Sequence, residues 1–245
     1  MSIITNIAGV MVISSMLCTG YPQQLLTTSE IINENQIQVG EKSIVKNLDY
    51  LKEDVKIPQL MGGNELKKIN LINDTINNDI MPKVNEAEKI AKEYFDKPGQ
   101  GNPTFPYEVY SKYTSTANSK SIISMYNDYY EYLGGAHGMT YKTSYTIDKE
   151  KEELVSLKGL FINGYNYKEL INKEIKNQIS KNPENYFNSG EEFKGINDNQ
   201  SFYIDNDNLV IYYQLYEIAP YVAGFPEFKI PLKSFGENFI YYKDF

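Results

Sequence analysis

The spacing of apolar residues changes along the chain, and each change predicts an element. Between Lys42 and Leu60, the positions Ile44, Val45, Leu48, Tyr50, Leu51, Val55 and Ile57 predict two strands, the second ended or held at an edge by Pro58. Leu66, Ile69, Ile72, Ile76 and Ile80 then recur at steps of three and four, and Val84, Ala87, Ile90, Ala91 and Phe95 continue the same face. That is the spacing of an amphipathic helix. Pro82 has no backbone donor, so a kink or break is expected near Met81. Residues 96–103, with two prolines and two glycines, interrupt regular structure and mark the best internal boundary.

Beyond that boundary the period falls to two. Residues 107–113, 122–132 and 140–147 alternate, are rich in aromatic and β-branched side chains, and predict an antiparallel meander. Residues 165–180 form a second helix with Leu170, Ile171, Ile175 and Ile179 on its apolar face. Residues 202–204 and 209–216 flank the turn Asp205-Asn206-Asp207-Asn208 as a hairpin, and residues 228–232 make a final strand. Strands and helices do not alternate as repeated βαβ units, so the expected class is α+β: antiparallel sheets with packed helices, in two closely associated subdomains at 42–100 and 101–245.

Residues 1–20 carry no charge, and most of residues 3–18 are apolar. A run this long followed by Cys18, Thr19 and Gly20 reads as a signal peptide or an N-terminal membrane anchor. Residues 21–41, polar and weakly patterned, read as a tether. The protein is therefore expected to be secreted or extracytoplasmic, touching a membrane only through an uncleaved N-terminus.

Composition narrows the chemistry. All 24 basic residues are lysine, and there is one histidine, His137, one cysteine, Cys18, and no tryptophan. One histidine and one cysteine cannot build a His/Cys zinc site, which needs three or four such ligands, nor an internal disulfide. A net charge of -8 and the absence of arginine forks argue against nucleic acid as a partner. No metal or other cofactor is expected.

Two segments carry the candidate binding residues. Tyr132 runs into Gly134, Gly135, Ala136, His137 and Gly138, where three glycines let the backbone approach a partner closely. His137 is either a general base or the packed imidazole of a tight strand connection. Residues 216–224 contain Pro220, Tyr221 and Gly224, a preorganised segment able to present a rigid tyrosine to another protein, or a proline-shaped turn whose aromatics join the core. Asp205-Asn206-Asp207-Asn208 is a hairpin turn, since Tyr216 stands where a calcium loop places its final glutamate. Residues 149–153 read as a solvated turn.

Taken together, the segments resemble the paired extracytoplasmic domains of unknown function, of the 4163 and 3298 type, found in lysozyme-responsive anti-sigma-V factors and ahead of some peptidoglycan deacetylases. The resemblance rests on Tyr129-Tyr130-Glu131-Tyr132-Leu133 leading into residues 134–138, on Tyr145-Thr146-Ile147-Asp148, on Leu157, Leu160 and Phe161, and on Tyr216-Glu217-Ile218-Ala219-Pro220-Tyr221 with Gly224 and Ile230-Pro231. More loosely, residues 55–60 and the following helix match the first domain. The resemblance implies a mixed α+β fold outside the membrane of a Gram-positive-type bacterium. The deacetylase's own catalytic domain is absent, and an anti-sigma role would need a start upstream of the apolar run, to supply a cytoplasmic sigma-binding segment.

The resulting expectation is a non-catalytic binding module of the bacterial envelope, taking a cationic protein such as a c-type lysozyme, or cell-wall glycan. Its expected binding residues are Tyr132, Gly134, Gly135, His137, Gly138, Pro220, Tyr221 and Gly224. The alternatives are a cell-wall polysaccharide-active enzyme or accessory domain using His137, and the outer part of an anti-sigma factor.

Overall fold

A computed structural model describes residues 36–99 and 103–245; the expected signal or anchor at 1–20 and most of the tether at 21–41 lie outside them. Strands β1 (Gln38–Asn47) and β2 (Leu51–Met61) form an antiparallel hairpin, closed where Leu48 and Leu51 exchange backbone hydrogen bonds. Helix α1 (Leu66–Phe95) follows. Strands β3 (Tyr107–Asn118), β4 (Ile122–Tyr132), β5 (Met139–Asp148) and the short β6 (Glu153–Leu154) complete a six-stranded sheet in sequential order. Helix α2 (Tyr167–Ile179) precedes a three-stranded antiparallel sheet of β7 (Phe202–Asp205), β8 (Asn208–Tyr212) and β9 (Glu227–Pro231). The class is α+β, as the pattern predicts. The large sheet contains one parallel pairing, β2 with β3 over Leu51–Val55, because α1 carries the chain back across the sheet between them.

Two expectations need correction. Of the kink or break expected near Met81, the break does not occur: helix α1 runs continuously through Pro82. Pro82 and Asn78, whose carbonyl loses its partner, are both exposed, so water can take that carbonyl. Ile80 and Val84, buried on either side, hold the helix to the sheet. The turn at 149–153 is not wholly solvated: Glu152 is buried at a positive φ of 55°. Its carboxylate accepts the backbone N–H of Asn64 and, at 2.7 Å, that of Glu65. Helix α1 has no side-chain cap of its own and no acidic residue in its first turn, so Glu152 supplies the negative charge its N-terminus favours.

Alternation divides the large sheet into two faces. Val55, Ile57, Val109, Met125, Tyr129 and Ile147 pack against Ile69, Ile72, Ile76, Ile80 and Val84 of α1. The opposite face of β4 and β5 receives the small sheet, where Tyr203 and Tyr212 meet Tyr126 and the Ser124 hydroxyl accepts the Ile204 N–H at 2.9 Å. The other side of the small sheet, with Ile204, Leu209, Ile211 and Phe228, packs on Ile171, Ile175 and Ile179 of α2. The small sheet is thus buried on both faces. It covers only part of the large sheet, leaving the ends of β3 and β4 nearest residues 108–110 and 130–132 partly open. No helix among the described residues is long and apolar enough to cross a membrane.

Candidate functional site

Period-two alternation sends Tyr129 into the core against α1 and turns Tyr130 and Tyr132 to the opposite, open face. The chain then leaves β4 through Gly134 and Gly135, both at positive φ (92° and 94°), and the Tyr132 hydroxyl donates to the Gly135 carbonyl at 3.2 Å. Gly138 closes the loop beneath the Tyr130 ring. A Cβ there would lie 2.4 Å from the ring, so only glycine fits without displacing the tyrosine.

Residues 216–224 stand beside this loop. The Gln214 side chain anchors their start by pairing with the Lys142 backbone, donating to its carbonyl at 2.7 Å and accepting its N–H at 3.1 Å. Ile218 and Ala219 are buried, and a short turn follows in which the Pro220 carbonyl accepts the Ala223 N–H at 2.9 Å. Gly224, at φ 69° and ψ -155°, ends the turn in a conformation essentially confined to glycine. Val222 at the tip is 92% exposed.

The two loops meet at one atom. The Gly138 carbonyl accepts the Tyr221 hydroxyl at 3.2 Å and the His137 Nδ1–H at 2.8 Å. The His137 and Tyr221 rings pack 4.6 Å apart, and Tyr216 continues the row 5.5 Å beyond Tyr221. Of the sequence-derived candidates, Gly138, His137 and Tyr221 are in direct contact, while Tyr132, Gly134 and Gly135 build the first loop and Pro220 and Gly224 shape the second. With Nδ1 committed to a carbonyl and the ring on Tyr221, the imidazole is held in the manner of a packed strand connection. Tyr130 and Tyr216 belong to the same surface; alternation along β4 places Tyr130 beside Tyr132, but its seat on Gly138 follows from the tertiary fold.

Beneath the second loop lies a buried lysine. The Lys142 ammonium sits 3.5 Å from the Tyr126 ring centre and 5.0 Å from that of Phe225, and 3.3 Å from both Asp128 Oδ1 and Glu227 Oε1. Burial pushes the Asp128 carboxyl above its ordinary range, and the ammonium opposes that shift. On the open face, burial raises the Tyr130 phenol and the Glu108 carboxylate adds to it. The arrangement offers aromatic surface and negative charge, a combination suited to recognising a cationic partner.

Comparison with known proteins agrees with this architecture. Residues 44–140 match the family model described as Deacetylase PdaC, and residues 158–233 match the protein family of unknown function DUF3298. The anti-sigma-V factor RsiV of Bacillus subtilis (strain 168) is 29% identical over 196 residues, which span 77% of this chain and 65% of that protein. A DUF3298-family crystal structure from Bacteroides fragilis NCTC 9343 shares the fold with a TM-score of 0.65 at 20% identity, over 86% of this chain and 98% of that one. A second, from Pseudomonas aeruginosa PAO1, does so at 0.52 and 14% identity, over 81% and 91%. The chain thus carries a segment that matches the PdaC model followed by one that matches the DUF3298 model, and it shares its fold with DUF3298-family structures.

Proposed function

We propose that the chain is an extracytoplasmic binding module of a bacterial envelope, and that residues 134–138 and 216–224 together engage a cationic protein such as a c-type lysozyme. The convergence of Tyr221 and His137 on the Gly138 carbonyl carries this reading, because it fixes half-buried Tyr221 in one aromatic row with the exposed His137 and Tyr216. A rigid tyrosine gives large contact area at low entropic cost. The net charge of -8 favours encounter with a basic protein. Likeness to an anti-sigma-V factor supports a role as the outer, sensing part of such a regulator.

Calorimetric titration of the purified protein with a c-type lysozyme, at low and at physiological salt, tests the reading. Binding is expected at both, and Tyr221→Ala is expected to weaken it by more than about 1 kcal/mol. Unchanged affinity in that variant would remove the second loop from the binding surface. Absence of heat at either salt would remove lysozyme as the partner.

A further inference from the structure

The aromatic surface continues past the two loops onto the large sheet. Strand pairing aligns Val45, Asp54, Tyr110, Tyr130 and Thr140 in one row across five strands, on the face away from α1. Tyr110 and Tyr130 stack with ring centres 6.0 Å apart and planes at 23°. Tyr110 is 38% exposed. Two carboxylates flank the pair: Asp54 in the row itself and Glu108 two positions before Tyr110 on β3. After burial, Glu108 and Asp54 are what raises the Tyr110 phenol, so the rings lie in a negative field. One Asp54 carboxylate oxygen is shielded from solvent without a hydrogen-bond partner. Neither carboxylate forms an ion pair with any described residue. Lys52 stands across from Glu108, and Lys56 and Lys112 line, together with Asp54, Glu41 and Tyr110, a groove of about 480 Å³.

We infer that this row is a cation-accepting subsite. A lysine or arginine side chain of the protein partner lies across Tyr110 and Tyr130, with its charge between Glu108 and Asp54. The inference rests on the reading of the two loops as a protein-binding face, with which it is continuous through Tyr130 and Gly138. It adds a charge-selective contact to the shape-selective one at Tyr221. A basic side chain would be drawn by the charge of Asp54 and Glu108 and gain cation–π attraction from rings already partly desolvated.

The test compares wild type, Tyr110→Leu and the double variant Glu108→Gln/Asp54→Asn, each checked for native circular dichroism. Titrated with a c-type lysozyme at low salt, each variant binds about tenfold more weakly than wild type. The deficit of the double variant shrinks as salt is raised. Wild-type affinity in both variants, with Tyr221→Ala still impaired, overturns the subsite while the loop reading stands. A second arm reads the subsite without lysozyme: a hexa-arginine peptide is titrated while the tyrosine ring NMR signals are followed. Shifts centred on Tyr110 and Tyr130 that vanish in the double variant uphold the subsite, even where lysozyme proves not to bind. Unperturbed rings overturn it.

Discussion

Lys142→Met removes the buried cation beneath the second loop, and its cost can be worked from the geometry. At 3.3 Å each of the two carboxylates attracts the ammonium by about 5 kcal/mol at an effective dielectric near 20. Desolvating the lysine, whose side chain is only 5% exposed, costs several kcal/mol, so the assembled cluster adds little net stability. Losing one partner is different. Asp128 and Glu227 would then face each other across a partly aromatic wall with only the more distant Lys112 to compensate them. Full burial would make that loss about 3–5 kcal/mol. The two carboxylates are 36% and 30% exposed, so solvent screens part of it and about 2–3 kcal/mol is expected. Urea unfolding at pH 7 measures the difference. The pH dependence gives a second check. The folded Asp128 carboxyl is already raised, so its ionisation disfavours the fold as pH climbs through its titration, and removing Lys142 steepens that penalty. The cost of Lys142→Met should therefore be small near pH 3 and full at pH 7, and Asp128→Asn/Glu227→Gln in the same background should recover most of it. A cost below about 0.5 kcal/mol, or one independent of pH, would refute the reasoning.

Three other substitutions probe the face and the packing of α1 behind it. Gly138→Ala forces a methyl into the Tyr130 ring and should cost about 1–3 kcal/mol, seen as a fall in Tm of several degrees. Glu152→Ala removes the charge held at the start of α1 and should cost about 1–2 kcal/mol in urea unfolding. Glu53 is buried, with the Lys46 ammonium 3.3 Å from its Oε2; burial first, then Glu88, raises it, and Lys46 opposes them. A raised folded value means that this group's contribution is favourable below the ordinary carboxylate range and is lost as pH rises through the folded value. Glu53→Gln should therefore gain on wild type between pH 4 and pH 7 in paired unfolding curves; a constant offset would contradict this.

The elements set by local pattern were legible in the sequence. Isoleucines at three- and four-residue steps announce α1, and alternation announces β3 to β5, because in both cases the burying face is written in the spacing. The elements set by partners distant in sequence were not. β2 reads alike whether its neighbour is parallel or antiparallel, and nothing local to Glu152 shows that Asn64 and Glu65 lie above it. Pro82 does not break the helix because the buried Ile80 and Val84 on either side offset its cost, and that burial is a tertiary property. Within the candidate site the two motifs were visible singly. Their meeting at Gly138, and the place of Tyr110 in the row, depend on register across strands that no single segment encodes.

That dependence gives a physical reason for the two matched segments to occur together. The Gly134–Gly135 turn, Tyr110, Tyr130 and Gly138 fall within residues 44–140, whereas Pro220, Tyr221 and Gly224 fall within residues 158–233. The bond from the Tyr221 hydroxyl to the Gly138 carbonyl crosses from one to the other. So does the Lys142 cluster, which takes Tyr126 and Asp128 from β4 and Phe225 and Glu227 from the second segment, with Lys142 itself on β5 just past the first match. Separated from its neighbour, the first segment would present Tyr130 and His137 without Tyr221, and the second would hold Tyr221 on a loop with no carbonyl to fix it. The proposed recognition face therefore belongs to the joint between the segments. The stacking of the small sheet on β4 and β5 is what brings its two halves into register.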